Sequence, residues 1–321
     1  MSRPLRLGTR RSALATTQSG WVAQALTAAT GRAVELVEVV THGDVSTAPL
    51  AQIGGTGVFV SALRDALVAG EVDLAVHSLK DLPTAAPDAI ALAAVPRRED
   101  PRDVLVARDG RTLSELPPGA RIGTGSPRRM AQLRALAAEL SLDLDVVPVR
   151  GNVDTRLRKV ADGELDAVVL ARAGLARLGR LSEVTEVLDP RQVLPAPGQG
   201  ALAVECRATD ADLLDLLAVL DHPTTRAAVT AERTLLAVLE AGCSAPVGAY
   251  ADVVEGEPDQ HHRPDQHHQL HLRAVVAGID GERSVRLSTT GPLDDPEGIG
   301  RRLAADLLSA GVSDLMGVRV P

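Results

Sequence analysis

The chain has 321 residues, of which 45% are hydrophobic and 24% charged, and a formal net charge of −8. That length suits two or three domains of ordinary globular composition. The acidic balance argues against nucleic acid or an anionic membrane as partner, and neither a signal core nor a membrane-spanning run is present, so a cytoplasmic protein is expected.

In chain order, the apolar segment Leu5 to Leu7 leads through GTRRS into a helical stretch that reaches about Thr30 and stops at Gly31. VELVEVV follows as a strand. Residues 41–57, THGDVSTAPLAQIGGTG, lack periodicity and hold four glycines and a proline. Long loops of this kind in compact domains are usually lids or binding loops. The stretch DLAVHSLKDLP, residues 73–83, then begins as a buried strand and changes character. His77, Ser78, Lys80 and Asp81 crowd its carboxyl end before Pro83. Ligands bind at that end of strands in open α/β sheets, although a plain polar turn ahead of a proline reads the same way.

LRDALVAGEVDLAVHS, starting at Leu63, is echoed by LRKVADGELDAVVLAR, starting at Leu157. Each ends a helix at Gly and leads through Gly-Glu-Val/Leu-Asp into an apolar strand, which predicts two similar α/β halves. Two Pro-bearing crossings, VPRREDPRDV (95–104) and LPAPGQGALAVEC (194–206), predict a chain that leaves the first domain, builds the second and returns. A ligand cleft and hinge motion between the halves are the expectation. The remainder reads as a helix from Pro223 to about Glu240, three strands and a last helix from Asp294 to Ala310. The expected division is therefore a first α/β domain of residues 1–97 and 198–220, a second of residues 101–194, and a small α+β domain of residues 222–321. The last holds a histidine-rich insertion at 257–269.

With one Phe, one Tyr and one Trp, the core must be aliphatic. Only Lys80 and Lys159 are lysines against 32 arginines, a bias that arginine-rich codon usage explains for the most part, but which makes Lys80 an unusual choice. The arginines gather at strand-to-helix edges. RIGTGSPRRMAQLRAL (121–136) places Ser126 as N-cap, Pro127 at the first helical position and Arg128 and Arg129 behind it. VRGNVDTRL repeats the design with Arg150, Asn152 and Arg156, GTRRS offers Arg10 and Ser12, and RAGLARL adds Arg172 and Arg177. Free amides at helix starts and planar guanidinium forks suit carboxylates and phosphates, so a cleft for a polyanion is favoured over scattered surface charge.

Cys206 and Cys243 are too few for a disulfide framework or a cysteine zinc site. Cys206 ends an apolar strand and reads as a small buried hydrophobe. Cys243 follows a helix stop in AGCSAPVG, where the helix terminus disfavours a standing thiolate; a thiol that reacts once with a strong electrophile needs none. The histidines at 261, 262, 267, 268 and 271 belong to or follow a tandem PDQHH repeat that shows no acidic or cysteine ligand pattern, so no metal is expected. His77 reads as structural.

Together GTRRSALA, VHSLKDLP, REDPRDV, IGTGSPRR, RGNVDTRL, AGLARLG, LPAPGQGA and EAGCSAPVG resemble the porphobilinogen deaminase (hydroxymethylbilane synthase) family in order and spacing over nearly the whole chain. The resemblance implies two similar domains of the periplasmic-binding-protein type and a third carrying a cysteine loop. It implies a transferase that joins four porphobilinogen molecules head to tail, releases ammonia and gives hydroxymethylbilane. It also implies one dipyrromethane cofactor per chain, joined as a thioether to Cys243, in a monomer. By the same resemblance Asp81 is the catalytic carboxylate. Lys80, Thr124, Ser126, Arg128, Arg129 and Arg156 hold the cofactor. Arg10, Ser12, Gln18, Phe59, Arg150, Arg156, Arg177 and Gln199 meet porphobilinogen and the growing polypyrrole chain. Gln52, Thr56 and Ser61 depart from lysines found in other members, with Arg64 as a candidate substitute cation, and Gly125 replaces a frequent serine. The rival readings are a non-catalytic anion-binding protein of the periplasmic-binding type, which lacks its expected secretion signal, and phosphate-ester chemistry, which lacks a metal-carboxylate cluster.

Overall fold

The computed structural model describes residues 3–39, 57–85, 87–241, 245–255 and 268–316. In chain order the strands are β1 (Leu5–Thr9), β2 (Val34–Glu38), β3 (Leu74–Ser78), β4 (Ile90–Ala94), β5 (Asp103–Ala107), β6 (Ala120–Thr124), β7 (Leu144–Pro148), β8 (Ala167–Ala171), β9 (Glu186–Val187), β10 (Leu202–Arg207), β11 (Val247–Glu255), β12 (His268–Ala277) and β13 (Ser284–Pro292). The helices are α1 (Ala13–Thr30), α2 (Gly57–Val68), α3 (Pro127–Glu139), α4 (Val153–Ala161), α5 (Arg172–Arg177), α6 (Ala211–Leu217), α7 (Pro223–Val238) and α8 (Pro296–Ser309). They form two compact units, Met1–Glu99 with Gly200–Arg226, and Asp100–Gln199 with Ala227–Pro321.

In the first unit a five-stranded sheet has the order β2-β1-β3-β10-β4. β1 pairs parallel with β2 and β3, and β10 runs antiparallel between β3 and β4. The strands are apolar because both faces are covered. Leu74 and Val76 pack with Val22 and Leu26 of α1 and Leu213 of α6, whereas Ala75 faces Leu63, Ala66 and Leu67 of α2. Ser12 caps α1 by accepting from the Ala15 amide, and Gly31, at φ 71°, ends it as expected.

The second unit repeats this wiring in a sheet of order β7-β6-β8-β5-β9, with β6 parallel to β7 and β8 and β5 antiparallel to β8 and β9. Its two faces are filled by Leu133 and Leu136 of α3 and by Leu157 and Val160 of α4. The echoed Gly-Glu-Val/Leu-Asp motif has a physical reason. Asp73 accepts from the Arg6 amide at 2.8 Å and Asp166 from the Arg121 amide at 2.8 Å, so in each sheet the motif's aspartate pins the start of one strand to its parallel neighbour.

The same unit also carries an antiparallel sheet of order β11-β12-β13. Its core joins Ala231 and Leu235 of α7 to Ile299 and Leu303 of α8 and to Leu270 and Leu272 of β12. α7 ends at Val238, two residues before the expected stop, because Glu240 adopts a left-handed backbone at φ 50°. The architecture is thus two similar, doubly covered α/β sheets and a small α+β layer.

Candidate active site

In the first unit the expected residues lie at the carboxyl ends of β1 and β3. β3 closes in a 3-10 turn, Leu79–Asp81. Buried Leu79 and Leu82 bracket that turn, and Lys80 and Asp81 are left half-buried at the sheet edge. Gln18, buried on α1, donates to the Ser78 hydroxyl at 3.1 Å and so ties the helix to the turn. Arg10 is half-buried directly after β1, and its carbonyl accepts from Thr16. Ser12 spends its hydroxyl as the α1 cap. Phe59 lies on α2, and its side chain falls outside the described residues.

The second unit brings more of the expected set together. Thr124 ends β6, and its hydroxyl accepts from the Ser126 amide at 3.3 Å. Ser126 in turn caps α3 by accepting from the Arg129 amide at 3.4 Å. Pro127 fixes the first helical residue, so Arg128 and Arg129 sit in the first turn, 3% and 5% exposed. Asn152 caps α4 from the Thr155 amide at 2.8 Å, which places Arg156 one turn in. Gly151, at φ +110°, makes the tight entry to that helix, where a Cβ would meet Thr155 at 2.7 Å.

Arg156 has no hydrogen-bond or ion-pair partner for its guanidinium among the described residues, and its Nε is buried. Burial, and then the charge of Arg129, lower its pKa. An uncompensated cation held in this way is an anion site in waiting. Gly125 belongs to it. A Cβ there would come within 2.7 Å of the Val149 carbonyl and 3.4 Å of Arg156 Nη2, so a serine does not fit this backbone unchanged. Arg150 is exposed after β7, and Arg177 is half-buried at the end of α5.

Sequence reasoning missed two buried carboxylates that bind arginine. Asp103, the first residue of β5, is fully buried and accepts from Arg128 Nη2 at 2.8 Å, Arg129 Nη2 at 2.8 Å and Gln199 Nε2 at 2.7 Å. Burial pushes its carboxyl up, but the charges of Arg128 and Arg129 and the Arg129 and Gln199 bonds outweigh that and hold it well below the usual range. An aspartate opening an otherwise apolar strand within REDPRDV was the available signal. Glu205, on β10, accepts from Arg64 at 2.7 and 3.0 Å and lies 3.3 Å from His77 Nε2. Burial opposes its charge, yet His77 and Arg64 bring its pKa from 4.5 to about 2. Arg64 is therefore committed to the scaffold, which corrects its reading as a candidate substitute cation for the ligand. Gln52, Thr56 and Cys243, with the histidines at 261, 262 and 267, lie outside the described residues. Cys206 is buried in the first sheet, its thiol pushed up to about 11 by burial. His268 opens β12, and His271 lies 4.0 Å from Asp252.

Residues 5–215 match the family description "Porphobilinogen deaminase, dipyromethane cofactor binding domain", and residues 226–309 match "Porphobilinogen deaminase, C-terminal domain". The chain belongs to the porphobilinogen deaminase family. It is 62% identical to porphobilinogen deaminase 1 of Streptomyces avermitilis, with 98% of each chain covered. It is 58% identical to porphobilinogen deaminase of Mycobacterium tuberculosis, over 98% of this chain and 99% of that one. Among solved structures, a periplasmic substrate-binding protein of an ABC transporter from Coxiella burnetii is 15% identical, with a TM-score of 0.42, covering 67% of this chain and 91% of that one. A likeness of that size carries no statement about function. The donor set fits the cofactor that the family's matched domain takes. A dipyrromethane bears several carboxylates, and Arg156, with Arg129 and the α3 start beside it, offers cationic and amide donors. No helix among the described residues is long and apolar enough to cross a membrane.

Proposed function

We propose that this protein condenses four porphobilinogen molecules onto a covalent dipyrromethane primer, releasing ammonia and giving hydroxymethylbilane. The observation that carries the reading is the guanidinium of Arg156, without a partner among the described residues and set close to Arg129 at the ligand edge of the second unit's sheet. Each pyrrole of substrate, primer and product carries an acetate and a propionate, so planar cations in number are what this chemistry demands. Lys80, Thr124, Ser126, Arg128, Arg129 and Arg156 are assigned to the primer. Arg10, Ser12, Gln18, Phe59, Arg150, Arg156, Arg177 and Gln199 are assigned to the incoming substrate and growing chain. Arg128 has both terminal nitrogens engaged, by Leu194 and Asp103, so it serves by its charge more than by a free donor.

Asp81 is assigned the central step. When the aminomethyl C–N bond of porphobilinogen breaks, the electron pair leaves with ammonia and positive charge spreads to the ring nitrogen of the methylene-pyrrolenine. A carboxylate accepting from that N–H stabilises the charge as it develops, and a charge-assisted bond of this kind contributes about 1.5–3 kcal/mol. The same oxygen can take the ring proton displaced once the new C–C bond has formed. When bound, the dipyrromethane supplies the pyrrole terminus on which the chain is started. Cys243 is assigned the thioether, because Cys206 is sealed in a sheet with its thiol held protonated. The reading takes the enzyme as a cytoplasmic monomer with neither nucleic acid nor membrane as partner.

Intact mass spectrometry tests it. Protein made in cells that synthesise porphobilinogen should exceed its sequence mass by two linked pyrrole units. Cys243→Ser should show the bare mass and no turnover, and Cys206→Ser should keep the adduct. A native protein of unmodified mass would overturn the proposal.

A further inference from the structure

Asp103 has no part in the assignments above, yet three residues that do, Arg128, Arg129 and Gln199, converge on its two oxygens. Oδ2 takes Arg128, and Oδ1 takes both Arg129 and Gln199. The strand's alternation explains how. Leu105 and Ala107 of β5 face the α3 side of the sheet, and a period of two puts Asp103 on that same face. The first turn of α3 then delivers two consecutive arginines above it. Strand direction matters as well. β5 runs antiparallel to β8 and pairs Asp103 with Ala171, the last residue of β8, so the carboxylate stands at the end of the sheet where ligands bind.

The remaining contacts show what the carboxylate fixes. Arg128 reaches the Leu194 carbonyl, while Arg129 reaches the Val169 carbonyl at 3.2 Å and Gln199 Oε1 at 3.3 Å. Two adjacent buried guanidinium groups repel each other, and without a shared anion each gains by swinging toward water. With one carboxylate between them they are held apart in fixed directions. Counted with Arg156, the three cations still exceed the one anion, so the cluster stays attractive to carboxylates.

We propose that Asp103 is a positioning residue, which sets the orientation of Arg128 and Arg129 and through them the capture of the carboxylate-bearing primer. The inference rests on the assignment of Arg129 and Arg156 to the primer.

The test follows primer loading, not turnover. Protein made in cells unable to synthesise porphobilinogen is given porphobilinogen, and the gain of two pyrrole units is timed by intact mass across substrate concentrations. Rates are expressed per folded protein, measured by circular dichroism. Asp103→Asn should load about thirtyfold more slowly and need more porphobilinogen, a loss in keeping with misplaced binding groups. Asp103→Glu, which retains the charge, should recover much of that rate. Gln199→Leu removes one arm of the cluster without stranding a charge and should slow loading by roughly threefold to tenfold. It carries the test if the Asn variant does not fold. A purely structural role predicts lower melting temperatures with unchanged loading of the folded protein. That outcome, or wild-type loading in Gln199→Leu together with folded Asp103→Asn, overturns the inference while leaving the primer assignment intact. Wild-type loading by Arg129→Leu and Arg156→Leu would instead remove the assignment on which it rests.

Discussion

The two five-stranded sheets share one wiring and differ in where they spend charge. In each, the strand that enters antiparallel beside the last parallel strand carries a buried carboxylate bonded to arginine. In the second unit it is Asp103, first in β5 and opposite the last residue of β8. In the first unit it is Glu205, fourth in β10 and opposite Ala75, well inside the sheet. One position lies at the ligand edge and the other in the scaffold. The turns after the last parallel strand differ too. Three residues beyond β3 stands Asp81, and three residues beyond β8 stands Gly174, followed by Arg177. Equivalent strands thus end in a carboxylate beside a lysine, Asp81 and Lys80, in one unit and in arginine without a carboxylate in the helix that follows β8 in the other, which suits a reaction that must bind carboxylates and also stabilise a cation.

The largest effect expected of this division is at Asp81. Asp81→Asn keeps the size of the side chain and the packing of Leu79 and Leu82 around the turn, but removes the charge. Turnover should fall roughly a thousandfold, as losing about 4 kcal/mol of transition-state stabilisation implies. The melting temperature and the primer adduct should be retained. A folded, primer-loaded Asn variant with most of its rate would show that the turn after β3 is not where the chemistry occurs.

A smaller effect, on stability in place of rate, is expected at Glu205. Its carboxylate has a lower pKa folded than unfolded, so its contribution is fully present above about 4.5 and is lost as pH falls from 4.5 toward about 2. Glu205→Gln strands the largely buried Arg64 guanidinium without its anion and should cost on the order of 3 kcal/mol at neutral pH. The variant should also lose the wild type's dependence of stability on pH in that acid window. Urea unfolding as a function of pH measures both. If the Gln variant proved as stable as the wild type but slow in turnover, Glu205 would belong to the reaction and the contrast with Asp103 would collapse.

Much of this was legible in the sequence. Short apolar runs, helix caps and the Gly-Glu-Val/Leu-Asp echo foretold both sheets, since such signals are local and Asp73 and Asp166 do the same job in each. Ser126, Pro127 and Asn152 marked helix starts because capping needs particular side chains at particular offsets. The buried carboxylates were not legible. Whether Asp103 pairs with Arg128 and Arg129, 25 and 26 residues away, depends on strand order and on which face the strand presents. Neither is written in the neighbouring residues. Arg64 misled for the same reason: on sequence it is a free helical cation, and only the pairing of β10 with β3 brings Glu205 beneath it.

The smallest effect is expected from the histidine-rich insertion, which has no counterpart in either five-stranded sheet. It joins β11 to β12, and the residues flanking it, Glu255 and His268, are directly opposite each other in the ladder. A chain whose ends are already held together by nine such pairs needs little from its connection. The entropy of closing a loop changes by only about 0.6 kcal/mol for each doubling of length. Replacing residues 256–267 by Asn-Gly, a sequence suited to a two-residue hairpin, should therefore leave the melting temperature within a few degrees and turnover within about twofold. His268 must be kept, because it belongs to the strand. A large loss of activity in the shortened protein would place function outside the two sheet edges. A loss of stability that zinc corrects in the full-length chain but not in the shortened one would show that the repeat holds a metal after all.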